Sequence, residues 1–343
     1  MVQAIAPVPS TPAATDIDST APLRSVKVDS LVVLKIAKHC RESFPHPGTT
    51  GQLLGLDVKD VLEVTNCFPF PSPNEGEEGS GSAKAKAQHM NHMIHWLRDV
   101  GVDNNVVGWY QSAYLGTFLN QQLTETQFAY QKQLNDRSVV LVHDICTSNA
   151  GNLSLKAYRL APAFLAAQKE AGGKLLLSTI QKHNLTHRDI LEELPIEVCN
   201  SHLATALLAE LTPIPSKADK LSHNPEDTTF GAPSYASLDL AVDPYLEKNI
   251  DFLLEGIDDY NYEQNALQYH ARQMAREHAR RKAENTQRVF VGQKPIEGPV
   301  VVANEPNRLE SLLISGQIDN YCSQIEEFSG PAISKLYFAS GAV

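Results

Sequence analysis

"VVGWYQSAYLGTFLNQ", residues 106–121, is the stretch on which the fold turns. Its opening, with Val106, Val107, Trp109 and Tyr110, reads as a short apolar strand rich in β-favouring side chains. Thr124, followed three residues later by Gln127, resembles a capping box and predicts a helix through Leu134. Before the strand, Met90, Met93, Ile94 and Leu97 recur at i, i+3, i+4 and i+7 and predict a helix over roughly 83–100.

Further out on the N-terminal side, "VDSLVVLKIAKHCRESF" places Val33, Ile36, Ala37, Cys40 and Phe44 at helical spacing, with Asp29 or Ser30 available as N-cap. "GQLLGLDVKDVLEVTNCFPFP" holds two β-rich runs about Lys59-Asp60, a hairpin ended by prolines. On the C-terminal side "SVVLVHD" and "LSLKAYRL" are two more strands joined by the turn-rich "CTSNAGN". Helices mixed with hairpin-connected strands make residues 24–162 a compact α/β domain. The acidic, Gly/Ser-rich "SPNEGEEGSGSAK" reads as a mobile loop, and its glycines lack the Gly-Lys a phosphate loop needs.

Forty acidic against 29 basic residues give a net charge of -11 over 343 residues, which argues against general nucleic-acid binding. The five cysteines are scattered without C-x-x-C spacing, so reduced thiols and a cytosolic location are expected. Residues 1–23 read as a flexible tail with no secretory-signal features, and no apolar run reaches the roughly 20 residues needed to span a bilayer.

The remainder is mostly helical. Residues 163–212 hold helical patterns around the short strand "PIEVCN", and 213–240 form a polar, proline-bearing linker. In 241–290, Leu246, Ile250, Leu253, Ile257, Tyr260, Gln264, Leu267, Ala271 and Met274 step by fours and threes, an unbroken heptad seam with one polar position. Residues 305–343 carry Leu313, Ile314, Ile318, Tyr321, Ile325 and Phe328 on one side of a helix that Pro331 is expected to interrupt. Such seams bury themselves against another chain or against each other. Leu246, Ile250, Leu253, Ile257, Tyr260, Leu267, Ile318, Tyr321, Ile325 and Phe328 are the candidate interface residues, and a fully buried large aliphatic side chain contributes ~1.5–3 kcal/mol. Gln264 would fix register. In "ARQMAREHARRKAENTQR", Arg272, Arg276 and Arg280 share a helical face and are candidates for an RNA phosphate contact, although Glu277 and Glu284 interleave.

His89, His92 and His95 are three apart, but the stripe of Met90, Met93, Ile94 and Leu97 defines the buried face, which leaves the histidines on the solvated side. His143 and Asp144 form an adjacent acid/base pair at a strand end with no nucleophile nearby. Ser112 lacks the G-x-S-x-G context of a hydrolase serine.

At "GWYQSAY" the sequence resembles the MPN (JAB1/MPN/Mov34) family, whose domain is α/β and cytidine-deaminase-like. In its active members a Glu on a hairpin strand, a His-x-His after a "GWY"-like strand, and a Ser and an Asp on the next helix build a zinc hydrolase. Two imidazoles and a carboxylate hold the ion, which acidifies a water for attack. The resemblance puts Gln111 and Ala113 at the histidine positions and Leu56 at the general-base position. It puts Asn120 and Leu123, or Gln121 and Thr124 if no residue is deleted there, at the Ser and Asp positions. A methyl group and an inert leucine cannot ligate, and an amide oxygen is a poor zinc ligand. The resemblance therefore implies a vacant metal site, no cofactor and no hydrolysis.

"TTGQLLGLDVKDVLEVTNCFPFP", "VVGWYQSAYLGTFLNQQLTETQFAYQ", "SVVLVHDICTSNAGNLSLKAYRLAP", "LPIEVCNSHLATALLAEL" and the C-terminal "SLLISGQIDNYCSQIEEF" together resemble the H-subunit family of eukaryotic translation initiation factor 3. That resemblance covers residues 24–340 except the acidic loop and the linker. It implies an MPN domain that pairs with the MPN domain of the factor's F-type component. It also implies coiled-coil-like C-terminal helices that enter a bundle with core subunits, and an assembly that binds the small ribosomal subunit and recruits mRNA. Alternatives are an inactive MPN scaffold of the proteasome lid or COP9 signalosome, or a divergent isopeptidase.

Overall fold

The computed structural model describes residues 23–44, 48–71, 80–149, 153–211, 245–290, 294 and 305–341. The expected tail and linker therefore lie almost wholly outside the described residues, as does the acidic loop up to residue 79, whereas its last five residues, 80–84, are helical instead of loop. The chain divides into two compact units that do not follow sequence order. The first comprises residues 1–118, 129–159 and 193–241, and the second 119–128, 160–192 and 242–343.

The first unit is built on a mixed sheet. Its strands are β1 (Ser25–Asp29), β2 (Thr50–Val58), β3 (Val61–Pro69), β4 (Val106–Ala113), β5 (Val139–Asp144), β6 (Leu155–Leu160), β7 (Leu191–Leu194) and β8 (Ile196–Cys199), in the order β7-β6-β5-β4-β2-β3-β1-β8. β2 and β3 form the expected hairpin, closed by Lys59-Asp60 with Val58 opposite Val61. Lys59 takes a positive φ of 57°, and the Arg137 guanidinium holds the turn by donating to the Asp57 carboxylate and the Lys59 carbonyl. β4 lies antiparallel to β2 and parallel to β5. Helix α1 (Ser30–Ser43) covers one face with Val32, Ile36 and Cys40, each fully buried at i, i+4, i+8 spacing. They meet Val26, Val28, Leu53, Leu62, Val64, Tyr110 and Leu141 in a single core. Phe44, expected on that stripe, is 49% exposed.

Helix α2 (Ser80–Val100) buries Ile94 and half-buries Met90, Met93 and Leu97, as its stripe predicts. Other expectations shift. Ser25–Asp29, given no element from the sequence beyond Asp29 as an N-cap candidate, is a strand parallel to both β3 and β8. "PIEVCN" is the short strand expected, but as β8 it joins the sheet edge beside β1 rather than the helical extension. Helix α3 (Gln121–Gln133) begins three residues before Thr124: the Asn120 side-chain carbonyl accepts the Leu123 N–H at 2.7 Å, so Asn120 caps it. The Thr124 hydroxyl instead donates back to the Gln121 carbonyl at 2.8 Å. "CTSNAGN" contributes the end of a short helix, α4 (Ile145–Asn149).

In the second unit, α5 (Pro162–Ala171), α6 (Leu177–His183), a 3-10 turn (His187–Asp189) and the start of α9 (Leu309–Gly341) enclose a core of Leu160, Phe164, Ala167, Leu175, Leu185, Ile190, Leu309 and Leu313. A short helix, α7 (His202–Leu211), follows β8 in the first unit. Helix α8 (Tyr245–Phe290) runs antiparallel to α9. Tyr245 stacks on Phe328, Phe252 on Tyr321, Gly256 faces Ile318, and Gln264 donates to the Ser311 hydroxyl at 3.3 Å. Pro331 does not end α9, which continues for another ten residues. Gly330 before it has no Cβ, which removes part of the clash that normally expels the pre-proline residue from helix. No helix among the described residues is long and apolar enough to cross a membrane.

Candidate functional site

Gly108 opens the stretch that holds the candidate site. A Cβ there would sit 2.0 Å from the Val139 carbonyl oxygen, so only glycine lets β4 and β5 pair at this rung. Beyond it, side chains alternate between the faces of the sheet. Tyr110 is buried, with its hydroxyl hydrogen-bonded to His39 Nδ1 at 2.8 Å, while Trp109 stacks on Tyr130. Tyr130 donates to Gln52 Oε1 at 2.8 Å, and Gln52 Nε2 donates to the Gly108 carbonyl at 2.6 Å, which satisfies an amide with no solvent exposure.

Gln111, Ser112 and Ala113 end the strand, all buried. Gln111 pairs with Thr50 on one side and Val142 on the other, Ser112 with His143, and Ala113 with Asp144. Ser112 is clasped to the start of β2: its hydroxyl accepts the Thr49 N–H and its own N–H donates to the Thr49 carbonyl, both at 2.9 Å. Past Ala113 the chain reverses through Tyr114–Thr117, with positive φ at Leu115 (49°) and Gly116 (72°) and a 3.1 Å bond from the Thr117 N–H to the Tyr114 carbonyl. Leu115 is fully buried, so packing holds a leucine in a left-handed conformation that costs ~1–2 kcal/mol.

Asp144 is the organising acid. One carboxylate oxygen accepts the Gly116 N–H at 2.7 Å, and the other accepts those of Cys146 at 2.9 Å and Thr147 at 3.4 Å, capping α4. His143 is buried, with Nδ1 3.0 Å from the Ser154 carbonyl, and burial lowers its pKa despite that bond and the nearby Asp144 charge. The pair is thus structural in its contacts: the acid staples a turn and a helix start, and the imidazole fastens β5 to the residue before β6.

The resemblance to MPN domains implies imidazole donors at the positions of Gln111 and Ala113, where an amide and a methyl group stand, and the buried Asp144 carboxylate beside them accepts backbone N–H groups. Zinc calls for imidazole and free carboxylate donors, which these three side chains do not offer. Leu56 requires a correction. It pairs with Glu63 near the hairpin, beyond the last β2–β4 rung at Leu54 and Val106. Gln111 lies opposite Thr50, so Leu56 is six residues, about 20 Å of strand, from that rung and belongs to no site with Gln111 and Ala113. The segment beside Gln111 and Ser112 is Gly48–Thr50, which carries no carboxylate. Asn120 and Leu123 stand at the start of α3 in the second unit, the former as cap and the latter buried; of the alternative pair, Gln121 donates to Glu125 at 2.7 Å.

The helix α2 histidines do not act as one group. His92 and His95 are exposed, His95 lies 3.8 Å from Asp99, and His89 is half-buried edge-on to Phe68. Among the described residues, no three His, Cys, Asp or Glu side chains gather as a metal group.

The C-terminal candidates divide. Ile318, Tyr321 and Phe328, read as partner contacts, are taken up within the chain by α8, and Tyr321 is buried. The α8 seam is displaced by one residue over its first two heptads. Tyr245, Asn249, Phe252 and Gly256 face inward, while Ile250 and Ile257 are 42% and 39% exposed. Aromatic stacking and close approach at Gly256 select that rotation over the more apolar stripe one position on. Leu246, Leu253, Tyr260, Leu267 and Ile325 are all half-buried. Gln264 finds its polar partner in Ser311, so the hairpin has a registered polar rung. Arg272, Arg276 and Arg280 are all exposed. Sequence reasoning missed Asn249 and Phe252, and it named Asp144 without its backbone partners; the 245, 249, 252, 256 heptad was available as a signal, hidden by its Asn and Gly.

Comparison with known proteins bears on this arrangement. Residues 148–342 match the family described as the C-terminal region of eIF3h, and residues 21–136 match the JAB1/Mov34/MPN/PAD-1 ubiquitin protease family. Relatives named as the H component of eukaryotic translation initiation factor 3 include those of Aspergillus terreus, 40% identical over 94% of this chain and 97% of the relative, and Emericella nidulans, 41% identical over 93% and 96%. That of Coccidioides immitis is 40% identical over 93% of this chain and 96% of the relative.

Proposed function

The chain belongs to the eIF3h family of eukaryotic translation initiation factor 3, with an N-terminal MPN domain and a helical C-terminal region, and we propose that it is a non-catalytic scaffold of that assembly in the cytoplasm. The observation that carries the reading is the strand end at Gln111–Ala113. The positions that hold zinc in active MPN domains offer an amide and a methyl group, and Asp144 is spent on three backbone N–H groups. A zinc hydrolase needs an open metal position and an activated water. This strand end is instead a closed knot of backbone bonds, suited to holding a surface in shape.

On this reading the MPN domain pairs with the MPN domain of the factor's F-type component, and the α8–α9 hairpin docks among core helical-bundle subunits. The assembled factor then engages the small ribosomal subunit and supports preinitiation complex assembly. Ile250 and Ile257, exposed along α8, are the seam residues offered to a partner.

Two measurements test this. Zinc content by plasma mass spectrometry, with an isopeptidase assay on the same sample, should give neither stoichiometric metal nor turnover; either one overturns the non-catalytic reading. Ile250→Asp with Ile257→Asp in tagged full-length chain should release the other initiation factor subunits on pull-down. Full retention of all of them would sink the docking role of α8.

A further inference from the structure

Helix α8 outruns its partner. The antiparallel register that sets Tyr245 against Phe328 reaches Gln264 opposite Ser311, and α9 begins at Leu309. Beyond that rung α8 continues to Phe290. Residues 268–290 carry six basic side chains against two acidic ones, in a chain whose net charge is -11.

The basic groups are not spread evenly. At 3.6 residues per turn, Tyr262, Tyr269, Arg272, Arg276, Arg280 and Phe290 fall within about 80° around the axis. Leu267 and Met274, half-buried, lie on the opposite side, while Glu263, Glu277 and Glu284 fall outside the stripe. Tyr262 is 75% exposed, Tyr269 67% and Phe290 93%. Arg272 and Arg276 make no ion pair among the described residues, and Arg280 has only Glu277 at 3.6 Å. Successive arginines rise about 6 Å along the axis, with the tyrosines in line with them.

We propose that this tyrosine–arginine face of α8 is a sequence-tolerant docking surface for a single-stranded segment of messenger RNA. The inference deepens the scaffold reading and rests on it only for the setting. Guanidinium groups match phosphate oxygens bidentately, and exposed rings give unstacked bases a platform. An acidic protein would use the charges but leave the rings idle, and a duplex would hide its bases from them.

The test is fluorescence anisotropy of the full chain with a labelled, mixed-sequence single-stranded RNA, titrated across salt concentrations. Arg272→Ala, Arg276→Ala and Arg280→Ala together should weaken binding at least tenfold and reduce the salt slope by about two, at ~0.7 per phosphate contact. The Arg→Lys triple should keep the slope, which separates charge from folding, with helicity checked by circular dichroism. Tyr262→Ala with Tyr269→Ala should weaken binding about tenfold at unchanged slope. Unchanged affinity in the alanine triple, equal affinity for a duplex of the same sequence, or equal competition by polyglutamate would overturn the proposal. Pull-down of the alanine triple should still bring the other subunits. Their loss with RNA binding intact would mark the face as a protein seam and overturn it, whereas lost RNA binding with subunits retained supports it independently of the scaffold test.

Discussion

Asp144 accepts the Gly116 backbone N–H at 2.7 Å, and through that bond the end of β5 dictates how the chain turns after β4. The turn needs the help. Leu115 beside Gly116 sits at positive φ with its side chain fully buried, so the left-handed backbone is held by packing and by this one charged acceptor. A buried carboxylate with three N–H donors contributes more than a neutral bond at the same place. Asp144→Asn keeps the shape, loses the charge and replaces one acceptor with a donor facing backbone N–H groups. It should lower stability by about 1–3 kcal/mol in urea denaturation and speed proteolytic nicking near Tyr114–Thr117. A stability unchanged within error would mean that the turn is held by packing alone.

Gly108 is the second constraint. Its missing Cβ is required by the Val139 carbonyl of the parallel neighbour strand, a backbone atom that cannot swing aside. Gly108→Ala should spread β4 from β5 and cost about 3 kcal/mol. By contrast Gly256→Ala in α8 meets only side chains, the nearest that of Ile318 at 3.4 Å, and gains helix propensity. The first variant should unfold early on heating and the second should not, a contrast that thermal melts resolve directly.

The five cysteines divide by environment. Cys40, Cys67 and Cys146 are buried in the first unit, and burial raises the thiols of Cys40 and Cys67 to about 12. Cys199 and Cys322 are exposed. Brief iodoacetamide treatment of the native chain at mildly alkaline pH, read by peptide mass spectrometry, should label Cys199 and Cys322 and spare Cys40 and Cys67 until denaturant is added. Early labelling of Cys40 would contradict the packing of α1 on the sheet.

Local signals explain what the sequence made legible. The Lys59-Asp60 hairpin, the α2 stripe at Met90, Met93, Ile94 and Leu97, and the strand at "VVGWY" each follow from short-range periodicity and turn chemistry. What escaped was set by distant partners. The position of Leu56 depends on how β2 registers against β4, a pairing across some fifty residues that no local pattern encodes. The α8 seam reads one residue late because Ile250 and Ile257 outweigh Asn249 and Gly256 in hydropathy. The fold chose the face on which Tyr245 and Phe252 could stack on α9. Pro331 reads as a break until Gly330 before it is weighed. Asp144 reads as a strand-end polar residue because its donors, at Gly116 and in α4, become visible only in three dimensions.

Acid sensitivity should follow from two histidines. Burial lowers the pKa of His143 and of His39 below the ordinary 6.5, Glu42 opposing the shift at the latter. Between those lowered values and 6.5 the unfolded chain binds protons that the folded chain refuses, so stability falls as pH drops through that window. Each histidine adds a slope of no more than about 1.4 kcal/mol per pH unit. Melting temperatures measured from about pH 7.5 down to about 5.5 should decline, and His143→Gln should flatten part of the decline. A decline unaltered in that variant would assign the acid limb elsewhere.

Asn249 is the inward-facing residue of α8 that its surroundings justify least. It has no solvent exposure, and neither its amide nitrogen nor its carbonyl oxygen has a hydrogen-bond partner among the described residues. Its neighbours along the inward face, Tyr245 and Phe252, pack on aromatic rings of α9. An unsatisfied buried amide costs about 1–3 kcal/mol, and a leucine of similar length at this position would bury apolar surface instead. Asn249→Leu should therefore stabilise the isolated chain by about 1–2 kcal/mol in denaturant unfolding. The Gln264–Ser311 pair differs in kind, because its polar groups meet at 3.3 Å and tie the two helices at one rung. Gln264→Leu leaves the Ser311 hydroxyl without that donor and should give no comparable gain. If both leucine variants stabilise equally, register in this hairpin is set by the stacked aromatics and Gly256 alone. If only Asn249→Leu does, the polar rung holds the register and Asn249 is a cost carried by the free chain.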